Sequence, residues 1–327
     1  MNTRAADLER HSFRGLDDLA GIKAFLQGRE QPAWLPDYWT AGKSMVGTFQ
    51  TILDSPSHQH SFWSDQRGVF QAYLWVHPEA SETIEGNGNA WRMLIHPPFR
   101  HRALATEILS CAEAQLAEIS VSSTEASTVE TVAYGQDHWL SDLLGEHGYS
   151  RREALDVYLR RGLQGDLEAA APVDGFTIRP LDAEQDVLQR AAVQRDAFAG
   201  VTEPDDWSIA NTRRFLTWYQ GREDLDLVAV SDQGEIGAFA VFLVDSGTLI
   251  GELDPVGTRT AHQRKGLSKA LLLTGLQYLK SKGMRAAAVR TGVENTPAIR
   301  AYESVGFRVV DHLYRYVKTD DGEDSAR

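Results

Sequence analysis

Apolar positions in the second half of the chain follow two periods in turn. Leu225 to Val230 and Ile236 to Asp245 are short runs rich in β-branched, aromatic and small apolar residues. Asp232-Gln233-Gly234 between them is the turn of a hairpin. Phe176 to Arg179 predicts an earlier strand, and Thr248 to Leu253 with Val256 to Thr258 predicts a later one, interrupted at Pro255. Beyond it Leu271, Leu272, Gly275, Leu276 and Leu279 recur at helical spacing. Met284 to Val293 again reads as a strand, Asn295 to Phe307 as a short helix ended by Gly306 and an aromatic residue, and Arg308 to Val317 as the last strand. Strands paired first as hairpins and later joined through helices predict a mixed, mostly antiparallel sheet flanked by helices, in the α/β (α+β) class.

The first half repeats this order. A strand near Ser12 to Arg14, a hairpin of Phe62-Trp63 with Val69 to His77, a helix from Ala105 to Ser120 and a strand from Glu153 to Arg160 match their later counterparts. Arg100, Ala103 and Ala105 stand before their helix where Gln263, Gly266 and Ser268 stand before theirs, and Leu144 to Tyr149 matches Tyr302 to Phe307. Two tandem domains are therefore expected at 1–165 and 176–318, joined by the small, polar linker 166–175. The polar stretch 319–327 is expected to be disordered. The copies differ chemically. Ala103 replaces Gly266, Leu144 replaces Tyr302, Asp137 replaces Asn295 and Asn89 replaces Glu252, which leaves the first copy a structural role, or loose ligand binding through Arg100 and Arg102.

Composition narrows the function. With 42% apolar and 24% charged residues over 327 positions, the chain has a soluble, globular balance. It holds no apolar run near the ~20 residues a membrane span needs and no basic-then-apolar leader, so a cytoplasmic protein without a membrane partner is expected. A formal charge of −13 argues against nucleic acid, whose binding depends on neutralising phosphates, and favours a small or cationic partner. The single cysteine, Cys111, lies in an apolar helical pattern and reads as core. The histidines show no metal-ligand spacing, so no metal is expected.

The chemistry centres on Gln263-Arg264-Lys265-Gly266-Leu267-Ser268, placed between a strand and the N-terminus of a helix. The first amides of a helix lack intrahelical acceptors and carry the positive end of its dipole, so they attract phosphate oxygens. The loop is neither a Walker A sequence nor Gly-x-Gly-x-x-Gly; its form is Gln/Arg-x-x-Gly-x-Gly/Ala, with Ser268 last. Followed by the Asn295 to Phe307 run, it resembles the C-terminal half of the GCN5-related N-acetyltransferase (GNAT) family, over Phe176 to Lys318. The two-domain layout resembles the tandem type within it.

That resemblance implies acetyl-CoA as cosubstrate and a primary amine of a small molecule as acceptor. It implies Val256 and Thr258 as main-chain partners of the pantetheine arm, in a gap where Pro255 weakens the ladder. It implies Gln263, Arg264, Lys265, Gly266, Leu267 and Ser268 around the diphosphate, with Arg259 and Lys269 adding charge. Asn295 would cap its helix or bond the pantetheine arm. Tyr302 becomes the acid that protonates the leaving thiolate and Glu252 the base, with Asp254 in reserve. On a regular strand Glu252 shares a face with Asp254 and Val256, unless the strand bulges. Glu203 and Asp205, beside Trp207, are candidates for contact with a cationic acceptor or for capping a helix. The alternative function is a non-catalytic CoA sensor or scaffold. The expected assembly is a monomer or a homodimer.

Overall fold

The computed structural model describes residues 8–14, 59–77, 89–120, 128–200 and 225–319, with short pieces at 18, 21–22, 24–25, 208–210 and 212–213. Its contacts divide the chain into two compact units, Met1–Asp156 with Asp311–Arg327, and Val157–Val310.

In the first unit, β1 (Glu9–Ser12), β2 (Gln59–Ser64), β3 (Phe70–His77) and β4 (Asn89–Ile95) form an antiparallel series. Helix α1 (Arg102–Ser120) then crosses over to β5 (Thr128–Tyr134), which pairs with β4 in parallel. Helix α2 (His138–Glu146) leads into β6 (Ser150–Gly162). Leu104, Ile108, Leu109, Ala112 and Leu116 are the apolar stripe of α1, and they pack with Trp63, Leu74 and Val76 from the sheet.

The second unit continues from Val157 in β6. Here β7 (Phe176–Pro180), α3 (Val187–Ala197), β8 (Leu225–Ser231), β9 (Ile236–Asp245) and β10 (Ile250–Thr258) precede α4 (Leu267–Ser281), β11 (Ala286–Gly292), α5 (Thr296–Glu303) and β12 (Arg308–Thr319). Its strands follow the order β6-β11-β10-β9-β8-β7, with β7 at the edge of the sheet. All nine residues from Ile236 to Val244 but the last are buried, as a central strand covered on both faces requires. Gly275 lets α4 lie close on that strand. A Cβ there would stand 1.9 Å from the Phe242 ring.

The sheets and the sequence repeats do not coincide. Residues Asp311–Thr319 of β12, at the end of the second repeat, pair with β5 in the first unit, from Leu313 opposite Tyr134 to Thr319 opposite Thr128. Val157, Leu159 and Leu163, from the end of the first repeat, belong to the core of the second unit, and the Leu163 amide donates to the Arg285 carbonyl at 2.9 Å. Position 319 is still strand; 320–327 lie outside the described residues.

Candidate active site

Strand β10 carries the irregularity on which the site is built. It runs unbroken through Pro255, contrary to the interruption expected there, but its pairing with β9 slips between Leu253 and Val256. A bulge of this kind turns the side chains beyond it to the other face. Before the bulge, a Cβ on Gly251 would meet Leu279 of α4; after it, a Cβ on Gly257 would meet Phe239 and Ala197 of α3. Both are odd-numbered, yet they face opposite helices. Glu252 thus turns toward the α3 side, while Val256 packs against the core beneath α4 and Thr258 reaches the α4 loop. The shared face expected for Glu252 and Val256 is lost through the bulge.

The same strand parts from its parallel neighbour. Ladder pairing of β10 with β11 covers only Ile250, Gly251 and Glu252, opposite Ala286 to Ala288. Among the described residues the two strands have no register with each other from Leu253 to Thr258 and from Val289 to Gly292, which leaves a gap in the ladder there. Glu252 stands at the point of parting and is 8% exposed.

Past the gap, a 3-10 turn at Thr260–His262 brings the chain to Gly266, the N-cap of α4, with φ +84° and ψ 2°. Arg264 also has a positive φ of 62°. Glycine adopts the Gly266 conformation without the cost a Cβ would bring. Nothing lies within 4 Å of a Cβ built on Gly266, so the space beside it is open. Among the described residues, the amides of 264–269 have no backbone acceptor. The loop is fastened to the strand by Ser268 Oγ, 2.8 Å from Thr258 Oγ1.

Charge around this loop is already engaged. Lys269 Nζ is 3.0 Å from Glu168 Oε1, and Arg259 is 3.1 Å from Glu235 Oε1. Lys265 Nζ lies 3.0 Å from His262 Nδ1, whose other ring nitrogen is 3.0 Å from Glu235 Oε2. The His262 bond, with the Arg259 and Lys265 charges, holds the Glu235 carboxyl below the usual carboxylate range. Of the cations expected to be open to a diphosphate, Arg259 and Lys269 are paired with carboxylates, a competition invisible in sequence.

Tyr302 lies on α5, 6% exposed, in the core cluster with Leu267, Leu271, Val289 and Phe307. Burial, with the negative charge of Asp254, pushes its hydroxyl well above the ordinary tyrosine range. At neutral pH it is a firm proton holder and hydrogen-bond donor. Asp254, half-buried in the bulge, is thus within electrostatic reach of Tyr302. Asn295 caps α5: its Oδ1 accepts from the Ala298 amide at 3.3 Å, and its Nδ2 donates to Thr291 Oγ1 at 3.1 Å. Glu203 and Asp205 lie outside the described residues.

A parted parallel pair, an anion-receptive helix start and a tyrosine on the helix after the parted strand make the arrangement expected of a CoA-dependent acyl transfer. The sequence pattern of the Acetyltransferase (GNAT) family matches residues 193–307. Mycothiol acetyltransferase of Mycolicibacterium vanbaalenii is 30% identical over 253 residues, 75% of this chain and 78% of that protein. The chain belongs to the GNAT family. Mycothiol acetyltransferase of Acidothermus cellulolyticus is similar over a greater length, at 26% identity across 93% of this chain and 98% of that one. Among solved structures, a tandem GNAT protein from the clavulanic acid biosynthesis pathway superposes with a TM-score of 0.66 at 14% identity, covering 97% of this chain and 100% of that chain, a likeness of fold. The protein is an acetyltransferase of a family that uses acetyl-CoA, with a tandem GNAT architecture. Among the described residues no helix is long and apolar enough to cross a membrane, and no group of three potential metal ligands occurs.

Proposed function

We propose that the Val157–Val310 unit transfers the acetyl group of acetyl-CoA to a primary amine of a small molecule by direct attack. The observation that carries this reading is the parting of β10 from β11 immediately beyond Glu252. A pantetheine arm entering that gap finds free main-chain groups near Val256 and Thr258, with the diphosphate at the amides that follow Gly266. Gln263, Arg264, Lys265, Leu267 and Ser268 complete that loop, and Asn295 supports it by fixing the start of α5.

Glu252 and Tyr302 lie on opposite sides of β10, because Glu252 turns toward α3 and Tyr302 sits in the core under α4. The acceptor ammonium approaches from the α3 side and gives a proton to Glu252, directly or through a water. The free amine nitrogen then bonds to the thioester carbonyl carbon. As the carbon–sulfur bond breaks, Tyr302 donates its hydroxyl proton to sulfur; the second proton, lost by nitrogen as the amide forms, returns to the tyrosinate, and Glu252 gives up the first to solvent. A base and an acid placed in this way each contribute on the order of 10²- to 10⁴-fold. Asp254 is the reserve carboxylate, and Glu203 and Asp205 remain candidates for the acceptor's cationic group.

The test is thiol release from acetyl-CoA across a panel of amines, comparing wild type with Glu252→Gln. A cysteinyl sugar comes first in the panel, since the relatives are named for mycothiol; an aminoglycoside and a polyamine follow. Turnover with at least one amine, falling roughly 100-fold or more in the variant at unchanged acetyl-CoA affinity, supports the assignment. Acetyl-CoA bound normally but with no thiol released for any amine of the panel would favour a sensor instead.

A further inference from the structure

Strand β6 ends the first repeat in sequence, yet its final residues lie in the second unit, beside the end of α5. Arg161 Nη1 donates to the Val305 carbonyl, and a Cβ on Gly306 would stand 3.3 Å from Arg161 Cζ and Nε. The guanidinium thus rests against the glycine. Gly306 has φ +87°, and the turn it closes starts at Tyr302, whose carbonyl accepts the Val305 and Phe307 amides at 3.1 Å each. The Phe307 ring meets the Tyr302 ring edge-on, with centroids 5.8 Å apart.

Helix α5 has eight residues, too few to be stable alone in water, so its two ends set where Tyr302 stands. Asn295 caps the first. Arg161 closes the second, where terminal carbonyls lack intrahelical donors and the helix dipole favours a cation. The strand end that bears Arg161 is itself pinned, since Leu163 is buried and its amide donates to the Arg285 carbonyl at 2.9 Å. The first unit holds the counterpart without the clasp. There β12, the last strand of the second repeat, brings Lys318 Cε within 3.9 Å of a Cβ on Gly148. Lys318 Nζ goes instead to Glu113 Oε1 of α1, at 2.8 Å. The helix before that glycine carries Leu144 in the place of Tyr302 and has no proton donor to aim.

Resting on the acid role given to Tyr302 above, we propose that Arg161 is a positioning residue for that tyrosine, supplied by the first repeat to the reaction of the second unit. A proton donor must be held within about 0.5 Å of its productive place, and a displacement of about 1 Å can cost on the order of 10²-fold in rate. Arg161 acts through the turn from Glu303 to Phe307. The first repeat thereby takes a part in catalysis that its own altered positions do not give it.

The experiment is a double-mutant cycle on turnover with the fastest amine of the panel above. It compares wild type, Tyr302→Phe, Arg161→Gln, Arg161→Lys and the two double variants, with thermal melts to check folding. Two substitutions at 161 are used so that failure of one to fold leaves the other to decide. Arg161→Gln is expected to lower kcat roughly tenfold with the KM for acetyl-CoA within about twofold, and Arg161→Lys, which keeps the charge and a donor, roughly threefold. In the Tyr302→Phe background both losses should shrink to within about 1.5-fold, because the group that Arg161 aims is gone. Equal losses in the two backgrounds, or no loss at 161, would overturn the proposal and leave the acetyl-transfer reading standing. Undiminished turnover in Tyr302→Phe would overturn the acid role, and no turnover with any amine would overturn the transfer itself; the proposal falls with either.

Discussion

The two units contain the same parted strand pair, spanned by an ion pair in one and flanked by neutral amides in the other. In the first, β4 and β5 pair in parallel only at Asn89 and Ala90, opposite Val129 and Glu130, and then separate, as β10 and β11 do. Arg100, in the place of Gln263, donates to both oxygens of Asp137, in the place of Asn295, at 2.7 Å each. The guanidinium also lies 4.3 Å from the Trp139 ring centre. What is left between the strands is a cavity of about 80 Å³, room for a handful of waters and not for a pantetheine arm. Asp137 and Asn295 both cap their helices through a side-chain oxygen, to Leu140 and Ala298. Charge makes the difference: Gln263 and Asn295 are neutral amides, while a cation and an anion at the same places tie loop to helix across the gap.

The sharpest way to test this difference is at the paired positions Tyr302 and Leu144. Tyr302→Phe keeps the ring and removes the proton, so turnover should fall about 10²- to 10⁴-fold while acetyl-CoA affinity and melting temperature change little. Leu144 is fully buried. Leu144→Ala should cost about 2–5 kcal/mol of stability, read by denaturant unfolding, with the folded fraction retaining its turnover. A loss of turnover per folded molecule in Leu144→Ala would place chemistry in the first unit as well.

The ion pair offers the next test. Arg100 and Asp137 keep only 14% and 6% of their side-chain surface exposed. Asp137→Ala leaves a mostly buried guanidinium without its counterion and uncaps α2, and about 3 kcal/mol of stability should be lost. A loss under about 1 kcal/mol would mean that the pair is solvated and no lock. Wild type should bind one CoA per chain by calorimetry. Two would show that the pair opens for the carrier and would break the comparison.

Much of this was legible from residues alone, for a physical reason. Periodicity reports burial, so the β8–β9 hairpin, the apolar face of α4 and the tandem repeat all stand out in the sequence, and Gly266 marks a turn that other residues strain to adopt. Contacts between distant segments leave no such trace. That β12 pairs with β5 follows from strand pairing, which alternation along a single strand does not encode. The sequence shows a proline at 255 but not that the bulge beside it turns Val256 away from the face of Glu252. Nor does composition reveal which cations are free: Arg259 and Lys269 look like phosphate ligands until Glu235 and Glu168 are found beside them.

The smallest expected effect concerns how each loop is fastened. Ahead of α4, Glu235 accepts from His262 and Arg259, and its folded-state pKa lies below the usual 4.5. In the first unit the residue before the 3-10 turn is held through an amide relay instead: His96 Nδ1 is 3.0 Å from Gln71 Oε1, and Gln71 Nε2 donates to Asp65 Oδ2 at 3.2 Å. A carboxyl whose pKa is lowered on folding stabilises the fold above its unfolded pKa and loses that contribution as pH falls through the lower folded value. The Glu235 contribution is therefore complete at neutral pH and disappears with acidification below about pH 4.5. Glu235→Gln should lower the melting temperature slightly at pH 7, and the difference from wild type should shrink toward zero between about pH 4.5 and 3 and with added salt. A gap that widens in acid would mean that Glu235 is held by something other than these cations, and direct ion pairing would not be what separates the loop ahead of α4 from its counterpart.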